Sequence, residues 1–314
     1  SWLYEMGAAT SRTRVEYTVW SDVFQCPHCG TEIVYWDGAR DAKTGAVTEK
    51  VKCTGCRHAS EKRELRWVGE RPVETNAKGP VSREAHPPTN AELELIQRAN
   101  ASEILHWIPQ VPFTAAREMW RAGHSAQGVN SVGDFYTKRN LHALAAIRHA
   151  IQEEKDDRLR AALMFAFTGM VNRASKRYQW NVKRPTNVMT GTLYISSLRY
   201  EWNVGSLFER KLRDVAKYFA HLGSPSGRAE VVQSSATELA HLPDRSVDYV
   251  FMDPPFGANI FYADSSLLWD AWLGTLTDER AEIVVNKHRT PVDGGKTLSD
   301  YQRLIKRVFA LVLG

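Results

Sequence analysis

With 314 residues, 43% of them hydrophobic and 25% charged, the chain has the make-up of an ordinary globular protein with room for one large domain or two smaller ones. Collagen-like, mucin-like and wholly disordered classes are excluded, and the longest nearly continuous apolar run, Ala161 to Val171, is about half the roughly 20 residues that cross a bilayer. The formal net charge is +5, from 41 Lys and Arg against 36 Asp and Glu. No membrane partner is expected. The opening Ser1-Trp-Leu-Tyr-Glu-Met6 lacks the charged-then-apolar pattern of an export signal, so the expected location is cytoplasmic.

All four cysteines fall in the first organised segment, as two C-x-x-C pairs, Cys26-Pro-His-Cys29 and Cys53-Thr-Gly-Cys56. A tetrahedral Zn2+ takes four thiolates at about 2.3 Å, and two tight turns brought together across a short hairpin supply that arrangement. A reducing compartment opposes two disulfides, and the presence of two pairs argues against a thioredoxin-type redox centre. Four thiolates leave no position for water, so the zinc is expected to be structural, with His28 and His58 as neighbours rather than ligands. Glu32–Trp36 and Val47–Val51 read as short strands, with turn chemistry from Asp37-Gly38 through Gly45. Gly30 and Gly55 sit where the two turns need a residue without a Cβ.

Residues 69–90 hold four prolines and almost no large apolar side chain, which reads as an exposed linker. From Ala91 the pattern turns helical, then meets the proline-rich stretch Ile108 to Phe113. A clear helix begins near Phe135, with Thr137 as N-cap and Leu141, Leu144, Ala145, Ile147 and Ile151 on one side. A second, mostly buried helix is expected from Arg158 to Arg177, a third from Leu207 to Leu222, and another over Tyr301 to Gly314. Residues 151–200 hold nine Lys and Arg against four acidic residues, which equals the excess of the whole chain. Arg173, Lys176, Arg177, Lys183 and Arg184, interleaved with Tyr178 and Trp180, are therefore candidate contacts for nucleic acid.

The periodicity then becomes that of an α/β core, with strands expected at Ala229–Ser234 and Val247–Met252. The second runs into Asp253-Pro-Pro-Phe256, at the strand end where open α/β sheets bind ligands. These residue types suit methyl transfer to the exocyclic amine of a nucleobase, whose lone pair is delocalised into the ring. Asp253 offers a carboxylate and Pro254 a carbonyl to accept the two N–H bonds, which localises the pair and opposes the developing positive charge. The prolines hold these acceptors still, and Phe256 offers a flat face to an extruded base. A strand that simply ends in an Asp-Pro turn is the alternative reading of the same residues.

Ser246 to Leu273, which contains this motif, resembles the fourth motif and following segment of adenine-specific DNA methylases containing a zinc ribbon. Trp20 to Cys29, Phe135 to Arg139 and Glu282 to Lys287 resemble further segments of that family. The resemblance implies Asp253, Pro254, Pro255 and Phe256 as catalytic, Asn259 and Tyr262 on the target-base side, and S-adenosylmethionine as methyl donor. Phe256 stands where Tyr is also common. Gln233 to Ser235 stands where related enzymes often carry an acidic residue toward the cofactor adenine, which leaves Ser235, with Asp253, as the cofactor contacts.

The expected fold is thus α/β, a Rossmann-like methyltransferase core with an inserted zinc ribbon and additional helices. Its expected divisions are 1–20 as an edge of the core, 21–68 as the ribbon, 69–130 as linker and irregular insert, and 131–314 as helical segment and core. No glycine-rich cofactor loop follows a strand, and the resemblance implies one upstream of residue 1. The core is therefore expected to be incomplete in this chain, with a further segment or subunit supplying the loop. The expected function is DNA adenine-N6 methylation. DNA cytosine-N4 or RNA guanine-N2 methylation, or a catalytically silent zinc-ribbon module that binds nucleic acid, are the alternatives.

Overall fold

The computed structural model describes residues 2–7, 12–78, 85–182, 188, 192–222, 227–239 and 241–313. In chain order the elements are β1 (Glu5–Met6), β2 (Thr13–Gln25), β3 (Glu32–Val34), α1 (Tyr35–Ala39), β4 (Lys50–Lys52), β5 (Ala59–Glu61), β6 (Arg66–Lys78) and β7 (Ala85–His86). There follow α2 (Asn90–Ala101), α3 (Ala122–Ala126), α4 (Lys138–Gln152), α5 (Asp157–Val171), β8 (Leu198–Trp202), α6 (Val204–Leu222), α7 (Tyr262–Ser265), α8 (Leu267–Leu273) and α9 (Leu298–Leu313). The protein is mixed α/β, and every strand pair described is antiparallel.

β2 organises the fold. Its β-branched and aromatic sequence suits a pleated, buried surface, and β6 runs along one side of it. Along the other side lie β1, then β8 at Tyr17 to Ser21, then β3 at Val23 to Gln25. The β2–β6 register shifts at Val15/Tyr17, Val19/Trp20 and Val23/Phe24, and each such irregularity adds twist, which curls the sheet. Pro72, which has no N–H to give, pairs opposite Trp20 beside one of these shifts.

Two apolar cores flank this sheet. One joins Val15 to α2, α4, α5 and α8 through Leu95, Phe135, Leu144, Phe167, Met170 and Trp272. The other joins Val19 and Phe24 to the cysteine segment and to Tyr178, Trp180 and Leu198. α4 begins as expected, with the Thr137 hydroxyl accepting from the Asn140 N–H at 3.2 Å. Asp156 caps α5 through the N–H groups of Arg158 and Leu159.

Several expectations are corrected. Residues 69–78 are not linker but most of β6, because their backbone pairs with β2 from Val23 back to Arg14. Residues 1–20 contain β1, at one end of the strand order, and the first part of the central β2. α5 stops at Val171 rather than Arg177, and Phe165 stands 64% exposed on its outer side.

Neither Ala229–Ser234 nor Val247–Met252 is a strand. An apolar strand needs neighbours to take up its backbone groups and cover its side chains, and no described strand pairs with either segment. Val231 is 97% exposed and Phe251 81%. No parallel Rossmann sheet forms among the described residues.

Candidate functional site

The two C-x-x-C turns are near copies of each other. In each, the N–H four residues after the first cysteine donates to its carbonyl, from Gly30 to Cys26 and from Arg57 to Cys53, both at 3.0 Å. That geometry needs positive φ, and Gly30 (+75°) and Arg57 (+63°) supply it. Gly55 matters for a different reason: a Cβ there would lie 2.9 Å from the Thr31 hydroxyl. The expected strand at 47–51 is shifted to β4, which pairs with β5, and Trp36 belongs to α1.

These turns bring Cys26, Cys29, Cys53 and Cys56 together with all four sulfurs within 4.8 Å of one another. Cys26 lies 3.8 Å from Cys56, and Cys29 lies 3.7 Å from Cys53. A regular tetrahedron with metal–sulfur bonds of about 2.3 Å has edges of about 3.8 Å, so the group fits a tetrahedral metal ion. The Thr31 hydroxyl and N–H draw Cys29 down to about 6. The His58 N–H pulls Cys56 down as well, but desolvation and the neighbouring thiols outweigh it and push Cys56 up to about 12. A bound cation removes that conflict. His28 and His58 are exposed and stack on each other, ring centroids 5.3 Å apart, outside the sulfur group.

The Asp253-Pro-Pro-Phe256 segment is an exposed loop rather than the end of a buried strand. Asp253 is exposed and Phe256 is 66% exposed. Its rear is held: the Tyr301 hydroxyl on α9 donates to the Pro255 carbonyl at 2.6 Å, and the Val285 N–H donates to the Gly257 carbonyl at 3.2 Å. Asn259 and Tyr262 follow, both exposed, and the N–H groups of Tyr262 and Ala263 donate to the Glu282 carboxylate. Burial raises the Glu282 carboxyl above its ordinary range.

Two buried carboxylates that sequence reasoning missed fix this loop to the rest of the protein. Asp264 accepts from the Met119 N–H at 2.7 Å and from Arg117 at 3.2 Å. Glu118 accepts from the Asn286 side chain at 2.9 Å and from the N–H groups of Lys287, His288 and Arg289. Burial pushes the Glu118 carboxyl up, but these donors outweigh burial and hold it below the ordinary range. Their partners lie far away in the chain, Met119 for Asp264 and Asn286 to Arg289 for Glu118, so no sequence signal marked them.

Ser235 bonds Thr237 instead, hydroxyl to hydroxyl at 2.8 Å.

The basic block divides. Lys176 pairs with Glu70 at 3.3 Å, and Arg177, only 5% exposed, donates to Asn172 and to the Thr192 carbonyl at 2.6 Å. Both hold the fold, which corrects their reading as phosphate contacts. Tyr178 and Trp180 are likewise buried and do not stack on bases. Lys183 and Arg184 lie outside the described residues. Arg173 lines a recess of about 310 Å³ with Arg210, Lys211, Arg213 and Lys217 of α6. Sequence reasoning missed that face of α6, which the helical spacing of Arg210, Arg213 and Lys217 could have marked.

No described helix is long and apolar enough to cross a membrane. Compared with protein-family models, with curated proteins and with solved structures, the chain matches none.

Proposed function

We propose that the chain carries the base-accepting side of an S-adenosylmethionine-dependent DNA adenine-N6 methyltransferase, centred on Asp253-Pro-Pro-Phe256. The observation that carries this reading is the setting of that loop, open to solvent at Asp253 and Phe256 and held from behind at Pro255 and Gly257. The Asp253 carboxylate and the Pro254 carbonyl accept the two N–H bonds of an extruded amine, and Phe256 stacks on its ring. Asn259 and Tyr262 flank the base.

S-adenosylmethionine, when bound, supplies an electrophilic methyl group. The residues expected to hold it do not frame a site among those described: Ser235 is engaged with Thr237, and no strand stands behind it or Asp253. A glycine-rich loop on a further segment or subunit is therefore part of the proposal. Zn2+ is the metal proposed for the four cysteines, since four thiolates suit it and a closed shell serves structure. It clamps the turn between β2 and β3 to the β4–β5 hairpin. DNA phosphates are assigned to Arg173 and the cations of α6, and a cytoplasmic, reducing location keeps the thiols available.

The test is transfer of radiolabelled methyl from S-adenosylmethionine to unmethylated duplex DNA, followed by nuclease digestion and separation of the nucleosides. Label in N6-methyladenine is expected, with Asp253→Ala lowering the rate by about a hundredfold or more. Label in N4-methylcytosine, or in N2-methylguanine when RNA is supplied, assigns the base differently. DNA binding without transfer, unchanged in Asp253→Ala, favours the silent binding module, for which the four-sulfur group and the basic α6 recess already speak.

A further inference from the structure

A second cleft, of about 890 Å³, lies between the strap at residues 62–67 that leaves the cysteine module, the α3 region, residues 192–195 and the loop that follows Phe256. Lys62, Arg63, Arg66, Arg121 and Lys287 line it, and the described lining contains no Asp or Glu. These cations come from three stretches far apart in sequence. Among the described residues, Lys62, Arg66, Arg121 and Lys287 form no ion pair. Arg66 donates to the Gln25 amide oxygen at 2.6 Å, and Arg121 donates to the carbonyls of Glu118 and Trp120. Lys62 stands 5.8 Å from the Tyr194 ring and Lys287 stands 5.9 Å from the Phe261 ring. Arg63 pairs with the exposed Glu61 at the margin, 2.8 Å away.

Aromatic and amide groups complete the lining. Trp67 is half-buried, oriented by its indole N–H on the Asp22 carboxylate at 3.2 Å, and Tyr194 is 45% exposed. Asp22 beneath them is fully buried and paired with Arg199 at 2.8 Å, so its charge is compensated inside the protein. His124 at the floor is pushed below its ordinary range by burial and adds no cation at neutral pH. Asn259 and Phe261, a few residues after Asp253 in the chain, complete the lining.

A groove lined by cations and interleaved with flat rings matches an unpaired nucleic-acid strand, whose phosphates meet the cations while its bases meet the rings. A duplex keeps its base faces stacked on each other and cannot use the rings. The volume lies in the upper part of the roughly 300–1,000 Å³ range that holds compact organic ligands, enough for a nucleotide with a flanking phosphate. We infer that this cleft binds single-stranded DNA, the strand adjoining the base presented to Asp253. The inference deepens the proposed function and rests on it for the identity of that base.

The experiment reads binding with no methyl donor present, by fluorescence anisotropy of a fluorescein-labelled 12-mer of single-stranded DNA over a range of salt. Arg66→Ala, Arg121→Ala and Lys287→Ala are each expected to weaken binding several-fold and to lower the salt slope by about 0.7. Tyr194→Ala is expected to weaken it about tenfold with the slope unchanged. These side chains are exposed, and circular dichroism with metal content checks that each variant is folded.

Lys155→Ala, at an exposed cation between α4 and α5, serves as the control and leaves single-strand binding as it is. Unchanged affinity in the cleft variants overturns the inference even if Asp253→Ala abolishes methyl transfer. So does an equal loss for the control, a loss confined to duplex DNA, or tighter cleft-dependent binding of the same sequence as RNA. Failure of methyl transfer with cleft-dependent binding intact overturns the catalytic reading alone.

Discussion

Replacing Glu201 with alanine removes the acceptor at the centre of a buried network. Its carboxylate accepts from the Trp20 indole at 2.8 Å, from the Thr137 hydroxyl, and from Arg139 through both Nε and Nη2. Glu201 is 3% exposed and Arg139 1%, so one carboxylate on β8 ties β2 to the start of α4. Without it, the guanidinium keeps the Thr18 hydroxyl at 2.9 Å and the Tyr4 ring face but loses the carboxylate bonded to it.

Breaking such a pair from one side costs about 3–5 kcal/mol, because the remaining charge stays buried. For a chain of this size that lowers Tm by roughly 10 °C. Urea unfolding followed by circular dichroism and tryptophan fluorescence measures it. The double variant Arg139→Met with Glu201→Leu removes both charges and is expected within about 2 kcal/mol of the parent. A Glu201→Ala cost below about 1 kcal/mol, or a double variant that merely sums the two single losses, would refute this account of the network.

Acid should weaken the protein through Glu70. Burial pushes its carboxyl up, but Arg199 and Lys176 outweigh burial and hold it at about 2. A depressed folded value stabilises above the unfolded carboxyl range, so this contribution is complete above about pH 4.5 and is lost as pH falls toward 2. Glu70→Gln should flatten the fall in the urea midpoint over that window, and an unchanged fall would assign it elsewhere. Elemental analysis of the purified protein should find one zinc per chain, with Cys53→Ser losing it together with the order of the β4–β5 hairpin. Two disulfides in a metal-free, folded chain would be the contrary result. Arg57→Gly should raise stability by up to about 1 kcal/mol by relieving a left-handed backbone, whereas Gly30→Ala should cost about 1 kcal/mol or more. Thermal melts of the two variants read both signs. Glu118→Gln should leave the overall fold intact and raise hydrogen exchange at Lys287, His288 and Arg289, whose N–H groups the carboxylate now holds.

Interactions that close within a few residues were legible in the chain itself. The two C-x-x-C spacings dictate paired turns whose sulfurs converge, Gly30 marks a left-handed turn, and Thr137 begins α4 because its hydroxyl reaches an N–H three residues on. Whether a charge faces solvent or a partner is a different matter, since the partner lies on another element. Lys176 and Arg177 belong to the most basic stretch of the sequence, yet Glu70 on β6 and the Thr192 carbonyl engage them. Arg66, Arg121 and Lys287 carry no common pattern and meet in one cleft because the strap, the α3 region and the segment held by Glu118 converge there. Strand propensity has the same limit: Val247 to Met252 is as apolar as a buried strand, but a strand is made by its neighbours, and among the described residues it has none. Local chemistry thus determined the two cysteine turns and the start of α4, while tertiary packing decided which charges remain available to bind.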